Sequence, residues 1–271
     1  MDFSLKTYQK LLETLRLQGY SFYTFENYCQ SDFKAKVVIL RHDVDKKPLN
    51  SLRIAKLEKK LNIKSTYYFQ IKKNIYKPDI ILQIAQFGHE IGYHYNDLAH
   101  THGSYEKAIK EFETNISTFR KIVTVKTIAM HGSPTSKWDN RDIWKNVNYK
   151  KFDLIGEPYF DFLKTDASKI GLTFSYITDT GRMWNGDKYN LRDRISFKNE
   201  DEKLKSVLIN PVIHSTFDFI KWLSNGNTPD IIMITTHPQR WTDNFIEWLI
   251  EFITQKTKNT IKRVIKKIIF T

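Results

Sequence analysis

Val37-Val38-Ile39-Leu40-Arg41-His42-Asp43-Val44-Asp45 is an apolar run that ends abruptly in charge. A short β-branched run of this kind suits a strand buried on both faces, as in a parallel sheet. Side chains alternate along a strand, which predicts Asp43 and Asp45 on one side and Leu40 and His42 on the other. Lys46-Lys47-Pro48 then breaks the strand. Two carboxylates at the C-terminal end of a buried parallel strand stand where α/β folds keep their chemistry. The plain alternative is a pair of solvated acids opening a loop, neutralised by Arg41 and the lysines.

Working outward, the chain alternates. Residues 5–17 carry Leu5, Tyr8, Leu11, Leu12 and Leu15 at helical spacing, and Gly19 stops them. Residues 21–25 are short, aromatic and strand-like. Residues 50–61 predict a second helix and residues 65–71 a strand by β-propensity. Pro78 suits the first turn of a helix running to Phe87, and Gly88 ends it. A strand over 90–95, a long amphipathic helix over 105–122 and a strand over 123–130 follow. Short strands are expected at 152–155, 173–177 and 207–209, a helix at 214–223, a strand at 231–234, and a last helix from about Asp243. Repeated β-α alternation with polar strand ends predicts a parallel sheet with crossover helices, as a barrel or a doubly wound sheet. No repeat, low-complexity tract or linker divides residues 1–271, so a single domain is expected.

The 271 residues suffice for a substantial core. Forty-three Lys and Arg against 30 Asp and Glu give a formal net charge of +13, which favours anionic partners without selecting one. The single cysteine, Cys29, excludes an internal disulfide and fits a reducing compartment. Residues 1–10 are polar, with no apolar core of signal-peptide length. No stretch approaches the ~20 apolar residues of a membrane span. A soluble, cytoplasmic protein is the expectation, with no nucleic acid as partner.

Further strand ends carry histidines. His94 closes Gly88-His89-Glu90-Ile91-Gly92-Tyr93-His94, followed by Tyr95-Asn96-Asp97, with His100 and His102 nearby. His131 closes another strand in Met130-His131-Gly132-Ser133-Pro134, and His237 the last in Thr236-His237-Pro238. One strand-end histidine is ordinarily structural. If the strands are parallel, Asp43, Asp45, His94, His131 and His237 converge at one end of the sheet. Histidines and a carboxylate there make a plausible site for a borderline ion such as zinc. His89 opens its strand and is expected to lie far from His94. Arg182, Trp184, Arg240 and Trp241 are expected to bind sugar, through aromatic faces and guanidinium groups, against the reading that they close a barrel mouth.

These residues resemble the polysaccharide deacetylase family, carbohydrate esterase family 4. Arg41-His42-Asp43-Val44-Asp45 is similar to its first motif, Gly88 to His94 to its G-H-E-I-G-N-H motif with Tyr93 at the Asn, and Ile231 to His237 to its last motif. Residues 131–144, 156–159 and 178–186 look closer to a divergent branch encoded among surface-polysaccharide genes. The resemblance implies a distorted β/α barrel, a divalent metal, usually zinc, and hydrolysis of an acetyl group on a sugar. By position it implies Asp43 as general base, Asp45 and His94 as metal ligands and His237 as general acid. Three departures stand out. Val44 separates acids that are adjacent in the family. Leu98 stands where the family has a second histidine ligand. The family's arginine-proline motif is replaced by His131-Gly132-Ser133-Pro134. Asp97, His100, His102 and His131 are candidates for the missing ligand, and His131 is favoured because it ends a strand of the same sheet.

The expected function is a metal-dependent deacetylase acting on a surface-glycan precursor in polysaccharide biosynthesis. A metal-free C–N hydrolase on the same barrel, and an inactive glycan-binding relic, remain as rivals. The end of the chain adds one expectation. In residues 241–271, Trp248, Leu249, Phe252, Ile253, Ile261, Val264, Ile265 and Ile268 form an incomplete helical stripe, while Lys256, Lys258, Lys262, Arg263, Lys266 and Lys267 accumulate with no acid after Glu251. A covering helix with dipole-complementing cations explains the first half. The second half suits an anionic membrane surface and predicts a peripheral place at the inner membrane face.

Overall fold

The computed structural model describes residues 1–32, 36–163, 171–184, 193, 206–226 and 228–269, with 262–269 through their helical backbone. Helix α1 (Leu5–Leu17) opens on Ser4, whose Oγ accepts from Thr7 N at 3.1 Å. Strand β1 (Ser21–Tyr23) is shorter than expected. Thr24 ends it by accepting from Asn27 N at 3.1 Å, and so starts α2 (Phe25–Gln30). Then come β2 (Val37–Val44), α3 (Pro48–Lys60), β3 (Thr66–Phe69), α4 (Pro78–Gln86) and β4 (Glu90–Tyr95). Pro48 and Pro78 each occupy a first helical turn, where a missing N–H costs nothing. The second half has α5 (Asp97–His100), α6 (Tyr105–Arg120), β5 (Ile128–Met130), α7 (Pro158–Asp161), β6 (Phe174–Thr178), α8 (Thr216–Ser224), β7 (Ile231–Thr236) and α9 (Phe245–Ile269).

All pairings are parallel, in the order β5-β4-β3-β2-β7-β6. Strand β2 is the hub. Strand β1 pairs along its first half and β3 along its second, while β7 runs along the other side from Val37 to His42. Every residue of β2 is buried, as the apolar run predicts. The sheet does not close by hydrogen bonds between β5 and β6 among the described residues. Instead Ile155 and Gly156 add a short rung beside β5, and the Tyr159 and Tyr176 rings, 6.2 Å apart, fill the gap. The result is a distorted β/α barrel in one domain. Residues 152–155 are not the expected strand: a 3-10 turn spans Tyr149–Phe152, and Asp153 adopts a left-handed conformation. Gly92 is required inside the barrel, because a Cβ there would lie 2.3 Å from the Tyr68 ring.

The alternation of β2 sorts its polar side chains. His42 points outward to α3, with Nε2 2.9 Å from Glu58 Oε1 and Nδ1 2.7 Å from Thr236 Oγ1. Glu58 is fully buried. It also accepts from Tyr8 Oη at 2.6 Å, Ser65 Oγ at 2.7 Å and Tyr67 Oη at 2.7 Å. A buried carboxylate is tolerable only when its lone pairs are met in this way. His89 belongs to the same outer layer, bonded to Ser65 and to the Ala55 carbonyl, as its place at the start of β4 predicts.

Burial opposes ionisation of Glu58, yet His42 and His89, with the hydrogen bonds of His42 and Tyr8, lower its pKa from 4.5 to about 2. A depressed carboxylate contributes stability that is fully present above the unfolded pKa and lost as pH falls through the folded one. The shift corresponds to on the order of 3 kcal/mol. Glu58→Gln should therefore trail the wild type most above pH 4.5, with the gap shrinking as pH falls towards 2. Urea unfolding across that window measures it, and parallel curves for the two proteins would contradict the assignment.

Candidate active site

Parallel strands bring their C-terminal ends together, and the polar side chains gather there. Asp45 follows β2, His94 lies in β4, and His131 directly follows β5, its N–H donating to the Tyr95 carbonyl at 2.8 Å. Asp45 Oδ1 stands 3.5 Å from His94 Nε2 and 3.5 Å from His131 Nε2. One ligand atom from each of the three lies within 4.8 Å of the others.

The outer nitrogens of both rings are already committed. His94 Nδ1 donates to the Ala129 carbonyl at 3.0 Å. His131 Nδ1 lies 2.9 Å from Ser133 Oγ and 3.3 Å from Asn96 Oδ1. Asn140 locks that turn by donating to the His131 carbonyl at 2.7 Å and to Asn96 Oδ1 at 3.0 Å. Hydrogen bonds at Nδ1 set the tautomer and leave Nε2 free to coordinate. Burial pushes the His131 pKa down to about 4, so this ring is neutral at neutral pH, as a ligand must be. Asp45 resists the opposing effect of burial, and His131, His94 and His237 hold its carboxyl well below the usual range. Gln70 Nε2 donates to Asp45 Oδ1 at 2.6 Å. Two imidazoles presenting Nε2 and a carboxylate form a donor set that fits a divalent ion of the zinc class.

Asp43 lies on the same inward face, its Oδ2 3.7 Å from His94 Nε2. Arg41, two residues earlier and so on the same face, grips it with two parallel bonds of 2.8 Å, Nε to Oδ1 and Nη2 to Oδ2. This planar two-point contact fixes the carboxylate plane as a single cation does not. The Arg41 guanidinium, fully buried, is walled by Tyr159 and Tyr68, with centroids at 4.8 and 5.6 Å. Tyr159 Oη and Thr178 Oγ1 in turn donate to Asp193 at 2.8 and 2.6 Å.

His237 also adjoins the group, with Nε2 3.7 Å from Asp45 Oδ2. Its Nδ1 donates to Asp179 Oδ1 at 2.6 Å, and its backbone N–H to Asp179 Oδ2 at 3.0 Å. Burial and Arg240 press the His237 pKa down, but Asp179 and Asp45 outweigh them and hold it above the ordinary imidazole value. Asp179 was legible only as part of a polar turn after β6. Its meeting with His237 is created by the β6–β7 pairing.

Not every anticipated residue joins this group. Leu98 is core. Asp97 is buried against Tyr93 Oη and Asn115, and burial raises its pKa to about 7. His100 pairs with Glu111 at 2.7 Å, with its side chain 71% exposed, and His102 is exposed. The sugar-binding expectation for Arg182, Trp184, Arg240 and Trp241 is corrected. Trp184 and Trp241 are 0% exposed, packed on Phe219 and on Phe3 and Tyr8, and have no open face. Arg240 Nη1 is spent on Asp179. Arg182 is wedged over the Trp248 and Phe3 rings at 4.7 and 5.0 Å. Arg240 and Trp241 support Asp179 from behind, since Trp241 Nε1 donates to Asp179 Oδ2 at 2.9 Å.

No curated protein matches the chain. Similar solved structures include a CE4 family pseudoenzyme from Bacillus anthracis, 14% identical, with 83% of this chain and 62% of that one covered at a TM-score of 0.42. A family 4 carbohydrate esterase from Bacillus anthracis is 13% identical, with 92% and 84% covered and a TM-score of 0.40. A Streptococcus mutans CE4 esterase is 13% identical, with 93% and 90% covered and a TM-score of 0.42. The chain spans less than two thirds of the first of these, at 62%. Scores this low leave the fold to rest on the strand order itself. A family model described as polysaccharide deacetylase matches residues 30–153, the span that holds β2 to β5 with Asp43, Asp45, His94 and His131. By that match, residues 30–153 are similar to the polysaccharide deacetylase family.

Proposed function

We propose that this protein is a metal-dependent hydrolase that removes an acetyl group from a sugar of a surface-glycan precursor. The observation that carries the reading is the convergence of Asp45, His94 and His131, with ligand atoms within 4.8 Å of one another and both imidazoles presenting Nε2. Asp45, His94 and His131 would hold the ion, whose chemistry is to polarise the acetyl carbonyl and to bring the pKa of water towards ~7.

The remaining chemistry belongs to the chain's own groups. Asp43, kept oriented by Arg41, accepts a proton from the attacking water as that oxygen bonds to the acetyl carbon. The C–N or C–O bond to the sugar then breaks, and acetate leaves. His237 gives its Nε2 proton to the departing nitrogen or oxygen. Its Nδ1 bond to Asp179 fixes the tautomer, and the raised pKa that Asp179 and Asp45 give it favours the protonated ring. Base and acid both adjoin the ligand group, Asp43 at 3.7 Å from His94 and His237 at 3.7 Å from Asp45, within reach of one bound acetyl group.

The surface-glycan substrate is supported by the likeness of residues 131–144 and 156–159 to the branch named above. The net charge of +13 adds the suitability of an anionic carrier, a nucleotide-linked or lipid-linked sugar. A single cysteine supports a cytoplasmic place of action, at or near the inner membrane face.

Protein purified without chelators should carry one divalent ion and release acetate from acetylated nucleotide-linked or lipid-linked amino sugars. His94→Ala should lose both metal and activity, by elemental analysis and an acetate assay. Full metal occupancy in that variant would show the site to be misplaced. Asp43→Asn and His237→Ala should each cost on the order of 10²-fold or more in turnover while retaining metal. Turnover like that of the wild type in either would remove that residue from the mechanism.

A further inference from the structure

Helix α9 presents two apolar faces, and only one is used. Trp248 and Phe252 turn inward, with Gln255 and Asn259 buried beside them. They pack on the turns that directly follow the site residues. Asn259 Nδ2 donates to the Gly181 carbonyl at 2.8 Å, and Arg182 lies over the Trp248 and Phe252 rings at 4.7 and 5.8 Å. The helix is therefore seated at the end of the barrel where Asp179 and His237 stand.

The outward face is unusual. Phe245, Ile246, Leu249, Ile250, Ile253 and Ile261 are between 38% and 69% exposed. At about 100° per residue they fall within one sector of roughly 160° on the side away from Trp248 and Phe252. Thr257 and Thr260 lie inside that sector, and it contains no acid. Scattered exposed apolar residues are ordinary, but six in one stripe on one helix mark an interaction surface. No helix of the described residues is long and apolar enough to cross a membrane.

We infer that this stripe lies on an anionic lipid surface, with α9 in the plane of the interface. The choice of occupant rests on charge. Lys256 lies just inside one edge of the stripe, Lys258 stands beyond the other, and Lys262, Arg263, Lys266 and Lys267 follow in the sequence with no acid after Glu251. An apolar face followed by a run of cations is the pattern of a helix bound to acidic headgroups, where each cation near the surface adds attraction. A protein partner or a second copy of this chain would be matched by interspersed charges of both signs, which residues 252–271 lack. Because α9 rests on the turns after Asp179 and His237, docking holds the site's end of the barrel beside the bilayer. Lipid-linked sugars are presented at the same place. The inference deepens the proposed function but does not depend on turnover, since binding is read without it.

The test is co-sedimentation of the full chain with vesicles of phosphatidylglycerol mixed with phosphatidylcholine, and with phosphatidylcholine alone, at low and high salt. The expected result is binding to the mixed vesicles that weakens with salt, and far less to the neutral ones. Ile250→Asp with Ile253→Asp, both exposed on the outward face of α9, should weaken it about tenfold or more. Those variants should leave acetate release from soluble substrates unchanged. Equal binding to both vesicles, or binding to neither at low salt, would overturn the inference. So would a concentration-dependent dimer, seen by sedimentation velocity and abolished by the same two changes, because the stripe would then be a self-interface.

Discussion

The parallel pairing of one buried strand governs the rest of the molecule. Strand β2 has partners on both sides, and all run in its direction. A strand so placed must be apolar along its length, which Val37 to Leu40 satisfy. Its polar residues are confined to its C-terminal part, and there the neighbouring strands end as well. The gathering of Asp43, Asp45, His94, His131 and His237 follows from strand direction and is not an independent feature.

The same strand must solvate charge on both faces without water. Outward, His42 meets Glu58, whose carboxylate is shared by Tyr8, Ser65 and Tyr67. Inward, Arg41 and Asp43 neutralise each other in a two-point contact. Removing one partner of such a pair ordinarily costs about 3–5 kcal/mol, because the remaining charge is stranded. Both faces of β2 are thereby rigid, and Asp43 stands at a fixed distance from His94. The departures from the family pattern also fit together in space. His131 occupies the place beside Asp45 and His94 that Leu98 does not fill, while Leu98 joins the core.

Much of the fold was legible in the sequence, because the signals were local. Apolar runs closed by Gly88, by Pro48 and Pro78, or by Lys46-Lys47 mark where strands and helices change, and strand-end histidines are visible without coordinates. The proximity of His131 to Asp45 was reachable in the same way, through strand direction. What could not be read depends on tertiary proximity. Asp179 reaches His237 across 58 residues because β6 lies beside β7, and no local pattern reports that pairing. Arg41 looked like a neutralising surface charge, but only the closed barrel shows it fully buried against Tyr159 and Tyr68. Trp184 and Trp241 were misread for a related reason. A tryptophan serves equally as a platform for a sugar or as core, and packing on Phe3, Tyr8 and Phe219 decides for core.

The central claim is that two imidazoles and one carboxylate, on three different strand ends, hold one divalent ion. X-ray absorption at the zinc edge of the zinc-loaded protein tests it most directly. Two imidazole nitrogens and at least one oxygen are expected in the coordination shell at about 2.0–2.2 Å. One imidazole should disappear from that shell in His131→Ala. A wild-type shell with fewer than two imidazoles, or a shell unchanged by His131→Ala, would contradict it.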